Sequence, residues 1–475
     1  MPDSALPEME VLDIVEEELA LEEEELTIEE IDQSICDDID ELTQENNQIW
    51  SSPDHDRREY VHGFFQYPAM MVPVVQKKII GILLANNPNI ATVLDPYMGS
   101  GTSLVACMEN GLDCYGQDIN PLAVLVSQTR TGPFYFGAIE KKKDNFFDLI
   151  DNDKSRKFEA DFPGLRKWFK NDVINELSKI VRAIKQEPKP SIRKFYWVIL
   201  AETIRLTSND RTSTFKLHAR KASEIEERQL SPIEYFKAHF KNCLEDIKSY
   251  AEILNNSDKL SRGSYIGNIE LSLADSKTCI YTADGEDDFF DLLVTSPPYG
   301  DNRTTVTYGQ HSYLPLQWID LKDIHKNATD DYISTTSEID NRGLGGKMKD
   351  ISTQELQVLY NDSPTLQQIV NQITAIDSTK VKKVVNFFYD IHQSISNIHT
   401  KLKVNSYQVW TIGNRNVAGI EIPNTTIMGD FIQARGCILI KTINREILNK
   451  RMARRNNTAA LMTYEDILIF RKIGT

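Results

Sequence analysis

Six cysteines in 475 residues (Cys36, Cys107, Cys114, Cys243, Cys279 and Cys437) include no CxxC pair. That excludes a thiolate zinc site of the usual spacing and predicts reduced, buried thiols in a cytoplasmic chain. No apolar run approaches the ~20 residues that cross a bilayer. The N-terminus lacks the basic stretch that opens a secretory signal, so neither anchor nor leader is expected. The eight histidines show no HExxH or other ligand spacing, and no metal is expected. No internal repeat is visible. Lys and Arg are missing altogether from residues 1–50, which carry 19 Asp or Glu. The net charge of −17 is therefore local, since the remainder holds 51 acids against 53 bases. Between 131 and 250 there are 24 bases against 18 acids, and a second basic cluster, "KTINREILNKRMARR", ends at Arg455. The charge distribution permits a polyanionic partner that the overall balance would disfavour.

What is present divides the chain into four parts. Residues 1–47 form an acidic segment whose Leu12, Val15, Leu19, Leu26, Ile31, Ile35, Ile39 and Leu42 recur at roughly helical spacing. Two readings stand: a disordered solubilising tail, or an amphipathic acidic helix that docks on a basic surface. Over 48–130 the pattern alternates, with a short β-run at Thr92–Asp95, a helix at Thr102–Asn110 stopped by Gly111, and a strand at Cys114–Gln117. Such alternation predicts a parallel α/β sheet. Residues 131–265 are charged and helical, an insertion into that α/β domain. Strand signals return over 266–475 at Ile269–Leu273, Asp291–Thr295, Gln408–Ile412, Cys437–Thr442 and Ile467–Phe470.

Two motifs carry chemistry. "VLDPYMGSGTSLVA" sets Asp95 at a strand end and Gly99 and Gly101 at the turn into a helix, where glycine admits a ligand close to the backbone. The loop has no P-loop lysine, so phosphate cradling is not expected. Asp118 closes the next strand and can accept both hydroxyls of a ribose, and Asp275 ends the strand "IELSLAD". The second motif, "DLLVTSPPYGD", drives a buried strand into Pro297-Pro298, which cannot donate ladder hydrogen bonds and make a rigid corner.

"DPYMGSGT", the acid at Asp118 and "TSPPY" together resemble the S-adenosylmethionine-dependent amino-group DNA methyltransferases, above all those of the N4-cytosine type with Ser-Pro-Pro-Tyr. "VHGFFQYPAMMVP" (61–73) is similar to the family's first cofactor segment, and the closing strands are similar too. The resemblance spans about 60–130 and 265–472. It implies a Rossmann-like seven-stranded sheet with S-adenosylmethionine as cofactor. Asp95 would take the cofactor's ammonium, Gly99, Gly101 and Thr102 would admit its methionine part, and Tyr97 would pack against it. Asp118 would bind the ribose, Asp275 the adenine amine, and Tyr67 and Pro68 would close the other side. Ser296 Oγ and the Pro297 carbonyl would accept from the target amine, Pro298 would keep the corner rigid, and Tyr299 would face a base flipped from double-stranded DNA. Two regions compete for target recognition. One is the insertion, where "RLTSNDRTSTFKLHARK" gathers Arg205, Arg211, Lys216, Arg220 and Lys221. The other is the polar stretch 301–375, which opens with Arg303. His62 is expected to be structural or cofactor-adjacent. Adenine-N6 methylation, an RNA substrate and a non-catalytic DNA-binding subunit remain as alternatives. A cognate restriction endonuclease would be a partner if the chain serves a restriction-modification system.

Overall fold

The computed structural model describes residues 26–282, 285–447 and 464–474. The acidic stretch 1–25 and the basic run 448–455 lie outside the described residues. Among the described residues seven strands make the central sheet: β1 (Thr92–Asp95), β2 (Asp113–Asp118), β3 (Ile269–Leu273), β4 (Phe290–Thr295), β5 (Leu402–Ile412), β6 (Cys437–Glu446) and β7 (Tyr464–Lys472). Their spatial order is β6-β7-β5-β4-β1-β2-β3. All neighbours run parallel except β7, which is antiparallel to both β5 and β6. This is a Rossmann-like α/β sheet.

Alternation along the strands decides which side chains face which layer. Val93, Cys114, Leu292 and Val294 join one buried cluster, whereas Leu94, Tyr115 and Leu293 join the other. The first layer is built from the helices Pro73–Asn86, Thr102–Glu109 and Pro121–Arg130, the second from Pro364–Asp377, Val381–Lys401 and Asn424–Gln433. β5 and β7 extend beyond the short apolar runs that signalled them. Their polar ends have no strand pattern of their own, but Asp466 pairs with Ile412, and Glu465 with Arg445.

The 131–265 block is helical, with long helices at Phe136–Asp151, Asn171–Lys185, Pro190–Thr207 and Pro232–Asn256. Its rings Phe146, Tyr196, Phe236 and Phe240 pack on one another and belong to the same cluster as Val93 and Val294. The block therefore shares the core of the sheet's first layer.

Residues Ile28–Glu45 form a helix that Thr27 and Glu30 open with a reciprocal capping box. Ile35 and Ile39 are buried against the core. Asp32 accepts from Arg471 Nε at 2.8 Å and from Tyr407 Oη at 2.8 Å, and Asp40 pairs with Lys441 at 2.6 Å. No described helix is long and apolar enough to cross a membrane.

Candidate active site

β1 lies where the strand order reverses, with β2 on one side and β4 on the other. A crevice opens at the carboxyl ends of strands at such a point. Here it is a cleft open to solvent. Its walls include Tyr67, Pro68, Tyr97, Gly99, Thr102, Asp118, Asp275, Ser296 and Pro298. Five segments separated in sequence thus meet around one space.

The glycine loop needs its glycines. Gly99 (φ +50°) and Gly101 (φ +77°) are left-handed, and a Cβ on Gly101 would approach Ser127 Oγ to 3.0 Å. Gly99 N–H donates to Asp118 Oδ2 at 3.0 Å, and Asn120 N–H to Asp118 Oδ1 at 2.8 Å. Burial raises the Asp118 carboxyl to about 6, against the lowering effect of those N–H groups. Asp275 lines the cleft just past Leu273, the strand neighbour of Asp118, with its Oδ2 3.4 Å from Lys277 Nζ.

Asp95, which the resemblance would set against the cofactor's ammonium, is fully buried, and both of its oxygens are engaged within the protein. Ser103 Oγ donates to Oδ2, while Thr295 Oγ1 (2.7 Å) and Tyr97 N–H (3.1 Å) donate to Oδ1. Burial raises its pKa to about 6. Because Thr295 directly precedes Ser296, Asp95 ties the glycine loop to the proline corner. Gly101, Pro297 and Tyr299 also lie off the cleft wall, Gly101 inside the loop, Pro297 on the corner's buried side and Tyr299 behind Ser296.

At the corner, Ser296 Oγ lies 3.3 Å from Tyr299 Oη, and the Tyr299 hydroxyl donates to Glu465 Oε1 at 3.1 Å. Asn424 Nδ2 holds the Tyr299 carbonyl at 2.8 Å. Burial and the Glu465 carboxylate push the Tyr299 phenol well up, so it stays protonated. Tyr97 Oη donates to Ser394 Oγ at 2.5 Å.

Apart from His62, the residues that support the site carry no sequence signal. Arg130 is fully buried and donates to the carbonyls of Ser100 (2.9 Å), His62 (2.9 Å) and Phe65 (3.1 Å), fastening the 62–65 turn to the glycine loop. Burial lowers its pKa to about 9, which leaves it charged at neutral pH. His62 is buried, and burial pushes its imidazole well down, so it is a neutral structural group. Tyr308 stacks on Tyr67 (centroids 5.9 Å apart), and Arg342, Gly343 and Leu344 complete the wall. That last stretch is held by Lys277, whose Nζ donates to the Arg342 carbonyl at 2.7 Å.

Arg211 and Lys216 are exposed on the loop that Asp210 and Ala219 close as a β-bridge. The loop leans on the helix Tyr308–Leu316: Thr307 Oγ1 donates to the Phe215 carbonyl at 3.1 Å, and Leu217 N–H to Gln310 Oε1 at 3.2 Å. Arg303 is exposed just past the proline corner and donates to Asn341 Oδ1. The insertion and the 301–375 stretch therefore touch each other. Arg205 is set apart, ion-paired with Glu202 at 2.5 Å. Among the described residues no group of three or more His, Cys, Asp or Glu could hold a metal ion.

A mostly parallel sheet of this order, with an acid-lined cleft at its switch point and a Ser-Pro-Pro-Tyr corner on the rim, goes together with extensive sequence similarity. The chain belongs to the type II methyltransferases. It is 31% identical to type II methyltransferase M.MvaI of Kocuria varians over 459 residues, which is 93% of this chain and 97% of that protein. It is 30% identical to type II methyltransferase M.MjaII of Methanocaldococcus jannaschii over 127 residues, 26% of this chain and 21% of that one. No protein-family model matches the chain.

Proposed function

We propose that the chain is a site-specific DNA methyltransferase. In this proposal it moves the methyl group of S-adenosylmethionine to the exocyclic amine of a flipped base, cytosine N4, within a restriction-modification system. The observation that carries it is that Ser296 and Pro298 line the same cleft as Gly99 and Asp118.

The donor set suits that cofactor. Asp118 keeps acceptor capacity toward the cleft for a ribose diol, and Asp275 faces it as a second acceptor. Tyr67, Pro68 and Tyr97 offer flat apolar surface, and Gly99 and Thr102 leave room for the methionine part. When bound, the cofactor supplies a sulfonium-activated methyl group. Asp95 contributes through the loop it holds rather than by contact.

An exocyclic amine is a weak nucleophile because its lone pair is delocalised into the ring. Ser296 Oγ, on the cleft wall, accepts one of its hydrogens and so pushes the nitrogen toward a tetrahedral shape. Pro297 and Pro298 fix that acceptor beforehand, so little reorganisation accompanies transfer. Tyr299 supplies aromatic surface behind Ser296 for a base that has left the duplex. Arg211, Lys216 and Arg303 provide phosphate contacts from two regions that pack together.

Methyl transfer from labelled cofactor to duplex DNA, followed by nucleoside analysis, is the test. N4-methylcytosine is expected. N6-methyladenine would overturn the base assignment, and labelling of RNA alone would overturn the substrate.

A further inference from the structure

Resting on the amine-transfer reading of this cleft, we propose that Glu465 is a positioning residue that sets the direction of the hydrogen bonds at the proline corner. By doing so it makes Ser296 an acceptor toward the target amine.

The argument starts from counting hydrogens. Tyr299 has one hydroxyl hydrogen, and Glu465 as a carboxylate has only acceptors. The 3.1 Å contact between Tyr299 Oη and Glu465 Oε1 therefore uses the phenol's hydrogen. The 3.3 Å contact between Ser296 Oγ and Tyr299 Oη can then form only with the serine hydroxyl donating. The chain runs Ser296 to Tyr299 to Glu465, and both serine lone pairs stay available to a substrate N–H. The opposite polarity would aim the serine hydrogen at the amine and spoil the acceptor.

Topology puts the carboxylate there. β7 is the antiparallel strand, so its first residues lie at the rim where the parallel strands end. Arg445, the cross-strand partner of Glu465, is 3.4 Å from Glu465 Oε2 and only 3% exposed, so one oxygen faces the guanidinium and the other the tyrosine. Arg57 adds positive charge nearby. Glu465 lies 166 residues from Tyr299 in sequence, and nothing in its local pattern marks it.

Glu465→Gln is the discriminating substitution. Arg445 demands an acceptor, so the amide would turn its carbonyl to Arg445 and its NH₂ to Tyr299, reversing the chain. We expect kcat for DNA methylation to fall at least tenfold, with KM for DNA and Kd for S-adenosylmethionine within twofold of the parent. In a Tyr299→Phe background the same change should cost less than twofold. Glu465→Asp keeps the charge beside Arg445 but is one methylene short of Tyr299, and should show a comparable loss; it serves if the glutamine variant unfolds. Parent-like kcat in Glu465→Gln or Glu465→Asp, or an equal loss with and without the Tyr299 hydroxyl, would overturn the assignment. Tyrosine labelled with ¹³C at Cζ gives a readout independent of substrate. The resonance lost in Tyr299→Phe should shift in Glu465→Gln, and an unmoved resonance would overturn the inference even if the parent proved inactive on DNA. Parent inactivity on DNA would instead count against the amine-transfer reading.

Discussion

Asp118 gives the cleft a pH dependence whose sign follows from its raised pKa. Below about 6 the carboxyl is protonated and loses acceptor capacity for a diol. Affinity for S-adenosylmethionine should therefore fall by roughly tenfold per pH unit below that value. Asp95, buried nearby and also raised to about 6, titrates in the same window. Asp118→Asn should weaken binding at pH 7.5 and flatten the profile. Calorimetry between pH 5 and 8 checks both, and a flat parent profile would refute the role. Ser296→Ala and Tyr299→Ala should each remove most methyl transfer while cofactor affinity stays within a few-fold. Activity near that of the parent in either would remove that residue from the corner's chemistry.

Between residue and fold stand the two segments that Arg130 joins. The 62–65 turn and the glycine loop are 30 or more positions from it, yet three of their carbonyls rely on its guanidinium. Arg130→Met would leave those carbonyls without their donor. The expected loss is ~3 kcal/mol in urea unfolding, at the upper end for hydrogen bonds to a charged group. Cofactor affinity should fall with it, because Tyr67 and Gly99 sit on the two released segments. Gly101→Ala acts on the same loop through a strained left-handed backbone and crowding at Ser127. It should cost ~1–2 kcal/mol. Unchanged melting and binding in both variants would mean the loop is held from elsewhere.

Across the whole molecule, the helix Ile28–Glu45 is the element that ties the acidic N-terminal region to the far edge of the sheet. Its apolar residues enter the core, and its acids meet Arg471 and Lys441 on β7 and β6. Arg471 is 3% exposed, so losing Asp32 leaves a nearly buried cation with Glu29 as its remaining acid at 3.3 Å. Asp32→Ala should destabilise by ~3 kcal/mol, and Ile35→Ala by ~2–5 kcal/mol. Denaturant titration decides both, and changes under 0.5 kcal/mol would make the helix an appendage rather than part of the fold.

The sequence alone determined the order of strands and helices around the glycine loop, because hydrophobic period and glycine placement are local properties. It also exposed the two motifs, since a Pro-Pro corner and a paired-glycine turn each restrict their own backbone. It marked Asp95 as important but could not say how. Whether that carboxylate meets a ligand or three internal donors depends on Ser103 and Thr295, which folding brings together. The reach of β5 and β7 was hidden for the same reason, because their polar ends are strands only through pairing with neighbours. Arg130, Lys277 and Glu465 were invisible, each being an ordinary charged residue until packing gives it partners from distant segments. Local sequence restricts the backbone, and the tertiary structure alone decides which charges and hydroxyls face one another, because those contacts form across the sheet rather than along the chain.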